Sequence, residues 1–418
     1  MRVDLAFGRH GTSVEVPDSA DVILPIDAPA RPDEDAAVRT ALARPVAGLP
    51  LAALAGDARQ VAVVFPDLTR PMPNRTVLPP LLDELAHAGV PDARVTLLCA
   101  TGTHRQATAA EMEELIGPEL VTRYGVVDHD AGGDDHVSVG EVDGVPIRLQ
   151  REYVEADLRI ITGFVEPHFF AGFSGGPKAV CPGLAATETI LEAHHPRRIA
   201  DARATFLIRR GNPVHDFVRS AVSLAPPQLS LDVAINRARR VTAVFAGPLD
   251  AAHDAACAHV GAAARREVEA PYDLVVSTNG GHPLDRNLYQ AVKGMAAADR
   301  VRRDGGTVLM AAACGDGVPE GGAFARLLEG ADTPAALVAA TAGPEIDRWQ
   351  AQVLGRVLER GTVRLHSDGL GAQAIRTAQL IPAPDLDEAV GATLAALGRW
   401  PRVAVLPEGP LTVATVRT

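Results

Sequence analysis

Four loops of the chain combine glycine or proline with side chains that transfer protons or bind anions. They contain DLTR at residues 67–70, TGTHR at 101–105, EPHFFAGFSGGPK at 166–178 and NGGHPLDRNLYQAVKG at 279–294. His104 and His168 suit proton transfer near neutral pH. Arg70 and Lys293 suit the binding of a carboxylate or phosphate, and Lys178, which follows two glycines and a proline, suits close approach by a ligand and covalent anchoring. Each loop alone is also compatible with an ordinary turn, but together they predict acid–base chemistry on a small anionic substrate.

Each of the first three loops follows a short apolar segment that predicts a buried strand. The predicted strands cover residues 60–65, 94–100 and 158–165. They alternate with helical patterns, which is typical of βαβ units and a mostly parallel sheet. Because ligands of such sheets bind beyond the carboxyl ends of the strands, we expect the three loops to converge.

The same pattern starts again after an Ala-rich helical segment at 249–267, with a strand predicted at 273–278 and the fourth loop after it. The sequence therefore predicts two α/β domains with mostly parallel sheets and an active site in the cleft between them. We place the N-terminal domain at 1–265 and the C-terminal domain at 266–399. The final segment, 400–418, contains a strand that can return to the first domain.

Composition excludes several classes of function. The chain has 418 residues, 47% of them hydrophobic, and a net charge of −12, which disfavours nucleic acid and anionic membrane surfaces as partners. No apolar run reaches the roughly 18 residues of a transmembrane helix, and the N-terminus lacks the apolar core of a signal peptide. Four widely spaced cysteines predict neither a disulfide framework nor a zinc site. We expect a soluble cytoplasmic protein.

Taken in order, the four loops resemble those of the nickel-pincer-nucleotide-dependent lactate racemase family. His194, sixteen positions after Lys178, belongs to the same pattern. The resemblance extends from about residue 60 to residue 350. It implies two α/β domains and an isomerase that racemises or epimerises a 2-hydroxy acid, either lactate or a larger one, by reversible hydride transfer to a covalently bound nickel-pincer nucleotide.

The resemblance also implies a role for individual residues. Lys178 would bind the cofactor, a pyridinium-3-thioamide-5-thiocarboxylic acid mononucleotide, and His194 would be the protein ligand of its nickel. His104 and His168 would be the two proton-transfer bases. Cofactor contacts fall to Asp67, Leu68, Thr69 and Arg70. Substrate contacts fall to Arg70, Gln290, Lys293, Tyr289 and Trp349. The enzymes that make the cofactor and insert nickel would be partners.

Two other interpretations compete with this one. The first is a metal- or histidine-dependent lyase or hydrolase that seats a phosphorylated substrate on Gly175 and Gly176. The second is a hydroxyacid-binding homologue without catalysis, which the presence of both histidines and of Lys178 disfavours. Pro177 stands where lactate-active relatives would carry a basic residue. The sequence therefore does not determine which side chain the 2-hydroxy acid substrate carries.

Overall fold

The computed structural model describes residues 1–320, 322–398 and 400–417. The strands are β1 (Arg2–Leu5), β2 (Thr12–Glu15), β3 (Asp21–Val22), β4 (Val61–Pro66), β5 (Val95–Ala100), β6 (Gly125–Asp128), β7 (His136–Val142), β8 (Val145–Gln150), β9 (Leu158–Phe164), β10 (Pro167–His168), β11 (Gly172–Phe173), β12 (Leu229–Ile235), β13 (Val241–Gly247), β14 (Arg265–Val268), β15 (Tyr272–Thr278), β16 (Arg302–Ala311), β17 (Thr362–His366), β18 (Ile381–Pro382), β19 (Val403–Leu406) and β20 (Val413–Val416). The helices are α1 (Glu34–Ala43), α2 (Leu51–Ala55), α3 (Asn74–His87), α4 (Ala109–Ile116), α5 (Pro118–Arg123), α6 (Arg151–Glu155), α7 (Thr187–Ala193), α8 (Pro196–Ala200), α9 (Pro213–Val222), α10 (Leu249–Ala264), α11 (Leu288–Asp299), α12 (Ala323–Glu329), α13 (Pro334–Ala340), α14 (Arg348–Arg360), α15 (Ala372–Thr377) and α16 (Leu386–Leu397).

The chain forms two compact units, Asp27–Ala263 and a second unit that joins Met1–Ile26 to Ala264–Thr418. The prediction that the final strand returns to the first domain is wrong. All four residues of β19 are buried, and the strand lies between β15 and β3, parallel to both. A buried strand needs a hydrogen-bonded neighbour at each edge to satisfy its backbone N–H and C=O groups, and the N-terminal β3 supplies one of them. The first 26 residues consequently belong with the C-terminal part of the chain.

The unit Asp27–Ala263 is built on a six-stranded sheet with the order β13-β12-β9-β4-β5-β6. All of its pairings are parallel except that between β12 and β13. The three predicted strands are confirmed as β4, β5 and β9. Because these neighbours are parallel, their carboxyl ends lie at one edge of the sheet, and the first three loops start there.

Local sequence signals explain how this sheet is connected. Thr108 and Glu111 form a capping box, in which each side chain hydrogen-bonds to the backbone N–H of the other residue. Asp143 and Gly144 both have positive φ angles, 53° and 75°, and they form the hairpin turn between β7 and β8. The segment 151–155, which follows β8 directly, forms the helix α6.

The other unit contains a second six-stranded sheet, with the order β18-β17-β16-β15-β19-β3 and parallel pairing throughout. The predicted strand 273–278 is β15, and α11 follows the fourth loop. Within the described residues, no helix has both the length and the apolar character to cross a membrane.

Candidate functional site

The loop after β4 supplies a buried carboxylate that holds His104. Nδ1 of His104 lies 2.8 Å from Oδ2 of Asp67, and the Thr69 hydroxyl donates to Oδ1 of the same carboxylate at 2.8 Å. Burial by itself raises the pKa of Asp67, but the charges of His104 and Arg70 and these hydrogen bonds together hold it below its ordinary value. Since the ionised carboxylate accepts, the His104 ring donates from Nδ1, and the lone pair of the neutral ring lies on Nε2. His104 is therefore arranged as a proton acceptor.

The loop that carries His104 is fixed from β6. The Thr101 hydroxyl donates to Oδ1 of Asp128, and the backbone N–H of Ala107 donates to Oδ2 at 2.6 Å. Arg105, which the sequence places beside His104, forms an exposed ion pair with Glu111. Of the two basic side chains in this loop, His104 therefore contacts Asp67, and Arg105 pairs with Glu111 in the first turn of α4.

His168 is held in the opposite tautomer. The ring is buried, and its Nδ1 accepts a hydrogen bond from the backbone N–H of Ala171 at 3.2 Å. The neutral ring consequently carries its proton on Nε2. The ring is stacked on Phe169 with centroids 4.8 Å apart. Strands β10 and β11, which pair antiparallel on either side of the turn, hold this arrangement.

Lys178 lies on a single 3₁₀ turn, Gly176–Ala179, with an amine whose basicity is strongly reduced. Burial, and then the positive charge of Arg70, lower the pKa of Lys178 to about 7. Nζ lies 5.7 Å from the centre of the Phe170 ring. A large fraction of this amine is thus unprotonated at neutral pH, which is the form that attacks an acyl group.

The low pKa of Lys178 can be measured directly. We expect acylation of Lys178 by an amine-selective reagent to rise with pH around an inflection near pH 7. Mass spectrometry of the labelled peptide measures the extent of acylation at each pH. Arg70→Gln should move the inflection to higher pH, because it removes a like charge. An inflection in the wild-type protein near 10.5, the ordinary value for lysine, would contradict this.

His194 has the hydrogen bonding of a metal-ligating histidine. It ends α7, is buried, and places Nδ1 2.9 Å from the carbonyl oxygen of Ile190. The ring therefore donates from Nδ1 and has the lone pair of its neutral form on Nε2, which is the arrangement that protein ligands of metals adopt. In the neighbouring His195, Nδ1 accepts from the backbone N–H of Arg197 and caps α8. This contrast favours His194 over His195 as a ligand.

One residue that the sequence did not single out connects these groups. The buried ring of Phe170 is edge-on to His168, with centroids 4.6 Å apart, and edge-on to His194 at 5.4 Å. It also lies under the Lys178 amine. The motif around residues 166–178 contains two adjacent phenylalanines, and that apolar pair was the available signal. His168, Lys178 and His194 are thus packed around one aromatic ring.

Arg70 is suited to an anionic group. Across residues 1–320, 322–398 and 400–417, no atom accepts a hydrogen bond from its buried Nη1. A buried guanidinium N–H without an acceptor is costly, and a carboxylate or phosphate oxygen would satisfy it. Leu68 and Thr69, the other predicted cofactor contacts, are half-buried beside it. The residues of this loop therefore fit an anionic nucleotide or substrate.

Of the five predicted substrate residues, Arg70 lies in the unit Asp27–Ala263, and the other four lie in the other unit, on α11 and α14. Asn287 caps this helix through the backbone N–H of Gln290, and the spacing of Gln290 and Lys293 puts them on one helix face. Trp349 donates from Nε1 to the Tyr289 hydroxyl at 2.6 Å, so these two predicted residues are in direct contact. Within the part of the chain that the structure describes, Oε1 of the buried Gln290 has no hydrogen-bond partner.

The glycine pair does not have the form of a phosphate seat. Gly176 donates its N–H to Oδ1 of Asp232 at 3.0 Å, and the Lys178 N–H donates to the carbonyl oxygen of Gly175 at 3.2 Å. A phosphate-binding loop needs such N–H groups for the ligand. The phosphorylated-substrate alternative therefore loses the observation on which it rested.

Two family models match the chain. The lactate racemase N-terminal domain matches residues 7–206, and the lactate racemase C-terminal domain matches residues 268–414. Curated lactate racemases of Thermoanaerobacterium thermosaccharolyticum and Lactiplantibacillus plantarum are both 34% identical, over 382 and 390 residues. These alignments cover 90% of this chain in both cases, and 89% and 90% of the two relatives.

Solved structures agree with these matches. The lactate racemase apoprotein from Thermoanaerobacterium thermosaccharolyticum superimposes with a TM-score of 0.92 at 31% identity, over 100% of both chains. A protein of Thermotoga maritima shares the fold, with a TM-score of 0.71 at 18% identity over 92% of this chain and 98% of its own. The two-part α/β fold, the two family models and the curated relatives give one result: the chain belongs to the lactate racemase family and is an isomerase.

Proposed function

We propose that this protein racemises or epimerises a small 2-hydroxy acid, lactate or a larger relative, with a covalently bound nickel-pincer nucleotide. The observation that carries the proposal is the set of groups packed around Phe170. It combines a lysine of low pKa, a histidine with the hydrogen bonding of a metal ligand and a histidine that can carry a proton. Asp67 with His104 and Arg70 adds a second proton acceptor and an anion-binding guanidinium.

The composition of the chain supports the role of Lys178. The sequence contains two lysines, Lys178 and Lys293, against 38 arginines. Arginine replaces lysine in most surface roles, but it stays protonated and cannot act as a nucleophile. A chain that otherwise uses arginine thus keeps lysine at the proposed anchor and at one proposed substrate-binding position.

Four groups of this chain would hold the cofactor. Lys178 would form the covalent bond, His194 would bind nickel through Nε2, and Asp67 and Arg70 would contact the nucleotide. Among the described residues, no cluster of three or more His, Cys, Asp or Glu side chains could hold a metal ion, so His194 is proposed as a single protein ligand beside donors of the cofactor. The chemistry that the group supplies when bound is reversible uptake of hydride from the carbon that bears the hydroxyl.

The protein residues would handle the proton and the carboxylate. For one enantiomer, His104 takes the hydroxyl proton at Nε2, and the buried Asp67 carboxylate stabilises the imidazolium that forms. His168 would accept the hydroxyl proton of the other enantiomer at Nε2 once its ring carries its own proton on Nδ1 instead, which requires the hydrogen bond from the Ala171 N–H to break. Gln290 and Lys293 bind the substrate carboxylate, and Tyr289 and Trp349 shape the space for the remaining substrate atoms. Two bases meet the requirement of inversion at one carbon, because each hydroxyl orientation needs its own proton acceptor.

Replacing the proposed nickel ligand should separate metal binding from covalent attachment. We expect His194→Ala to keep the organic cofactor on Lys178 but to lower the nickel content several-fold, because only one metal ligand is lost. Intact-protein mass and elemental analysis of the same sample measure both quantities. His195→Ala is the matched control and should retain nickel; equal nickel in His194→Ala and the wild type would contradict the assignment.

The proposed function is tested by co-expression with the cofactor-making and nickel-inserting enzymes. Purified protein should then carry nickel and a covalent mass adduct, and it should interconvert the enantiomers of at least one member of a panel of D- and L-2-hydroxy acids that differ in side-chain size and charge. Loaded protein that racemises no 2-hydroxy acid would refute the proposal.

A further inference from the structure

Side chains from outside the loop fix the backbone of residues 174–178, which we name the anchor loop because it ends in Lys178. The Ser174 N–H donates to the carbonyl oxygen of Glu166 at 2.9 Å, and the Ser174 hydroxyl donates to that of Phe164 at 3.0 Å. Two further polar groups of the loop, the Ser174 carbonyl oxygen and the Gly176 N–H, bond to His253 and Asp232. The mechanism proposed above uses neither of these two residues.

Asp232 is a carboxylate buried in the middle of the sheet. It lies on β12 opposite Gly163 of β9, and none of it is exposed. Its Oδ1 accepts the Gly176 N–H at 3.0 Å, and its Oδ2 accepts the Ser230 hydroxyl at 2.9 Å. A Cβ at Gly163 would lie 2.5 Å from this carboxylate, so the strand opposite needs a glycine for Asp232 to reach the loop. Burying a carboxylate is expensive, which makes a purely space-filling role a poor explanation.

His253 approaches the same loop from α10. Its Nε2 lies 3.0 Å from the Ser174 carbonyl oxygen. Burial lowers the pKa of His253, so the ring is neutral at pH 7 and donates its Nε2–H to that oxygen. A Cβ at Gly176, where φ is +51°, would lie 2.4 Å from the His253 ring. The ring therefore packs directly on the backbone two residues before Lys178.

We propose that Asp232 and His253 are positioning residues that hold the anchor loop in the one conformation that presents the Lys178 amine for covalent attachment. This inference rests on the proposed role of Lys178 as the anchor. The Asp232 carboxylate bonds to the Gly176 N–H from β12, and the His253 imidazole bonds to the Ser174 carbonyl oxygen from α10. Gly175 and Gly176 both have positive φ angles, 73° and 51°, and because glycine adopts many other backbone conformations as readily, the loop's own backbone preferences do not hold it in this one.

The inference predicts what a released loop would do. The pKa of Lys178 is low because the amine is held in a buried place near Arg70. If the loop can move, the amine reaches water, and its pKa returns toward the ordinary value. The pH dependence of Lys178 acylation in the protein without cofactor therefore reports the position of the loop. Lys293 and the N-terminus, the other amines of the chain, are internal references in the same digest.

The test compares variants of one strand. Asp232→Ala removes both hydrogen bonds and should raise the inflection of Lys178 acylation by more than about one pH unit. Asp232→Asn keeps an acceptor oxygen for Gly176 and should stay close to the wild type. Val233→Ala is the matched control, since Val233 is also fully buried on β12, but its side chain points to the opposite face of the sheet. It should lower the melting temperature without moving the inflection.

A second pair of variants tests the other contact. His253→Ala should shift the inflection in the same direction as Asp232→Ala, and His253→Gln, which can donate from Nε2 to the Ser174 oxygen, should shift it less. After co-expression with the cofactor-making enzymes, the fraction of protein with the covalent adduct should fall several-fold in both alanine variants and not in Val233→Ala.

The outcomes distinguish this inference from the proposed function. Wild-type protein without any adduct after co-expression would refute the role of Lys178, whatever the variants do. The positioning role would be refuted if Asp232→Ala and His253→Ala carry as much covalent adduct as the wild type and show the same inflection of Lys178 acylation. It would also be refuted if Val233→Ala moves that inflection as far as they do.

Discussion

We expect Lys178→Ala to abolish covalent cofactor attachment and all racemase activity. The variant removes the only amine that burial and the charge of Arg70 hold at a pKa of about 7, among the groups that surround Phe170. Without that nucleophile we expect no covalent bond to the cofactor. Intact-protein mass spectrometry of co-expressed protein should show the adduct in the wild type and its complete loss in the variant.

Lys178→Arg is the sharper form of this experiment. It keeps much of the length of the side chain and the charge of the protonated amine, but a guanidinium stays protonated and cannot attack an acyl group. We expect it to fail as completely as alanine does. Lys293→Arg is the matched control: it should retain the full adduct and should lose activity through a higher KM. An adduct that persists in Lys178→Arg, or maps to Lys293, would overturn the anchor.

Much of the site could be predicted from the sequence because strands and loops are local. The apolar β-branched segments at 61–66, 95–100 and 158–164 form neighbouring parallel strands. Each is followed by a loop that contains candidate functional residues. The proposals for His104 and His168 rest on residue types that stand four positions after the ends of β5 and β9. Sequence reasoning places such groups well, since the polarity of a parallel sheet decides where they meet.

What could not be predicted depends on contacts far apart in the chain. Strand β3 pairs with β19, about 380 residues later. A strand of two residues is too short to have a sequence pattern that predicts this pairing. Asp232 and His253 likewise stand in an ordinary strand and an Ala-rich helix, and they reach the anchor loop across 56 and 79 residues. Tautomers of the site histidines are equally invisible in the sequence, because an acceptor or donor elsewhere in the fold fixes each of them.

Those tautomers bear on the second large effect. We expect His104→Ala and His168→Ala each to lower racemisation in both directions by about 10²–10⁴-fold, the usual contribution of a general acid or base. One histidine removes the hydroxyl proton of the starting enantiomer, and the other returns a proton to the same oxygen to give the opposite enantiomer. Every complete turnover therefore uses both. The measurement is the initial rate from each pure enantiomer of the preferred substrate, with cofactor loading checked by mass and nickel analysis.

The environments of the two histidines differ, and so should the residual chemistry of the two variants. Asp67 stabilises protonated His104, whereas His168 accepts a backbone N–H at Nδ1, and protonation there would break that bond. With deuterium on the reacting carbon, each variant should still transfer the label to the cofactor in a single turnover. This should occur with the enantiomer whose hydroxyl faces the remaining histidine. The two variants should therefore show opposite preferences for D- and L-substrate. Near wild-type racemisation in either variant, or the same preference in both, would mean that one histidine alone serves both enantiomers.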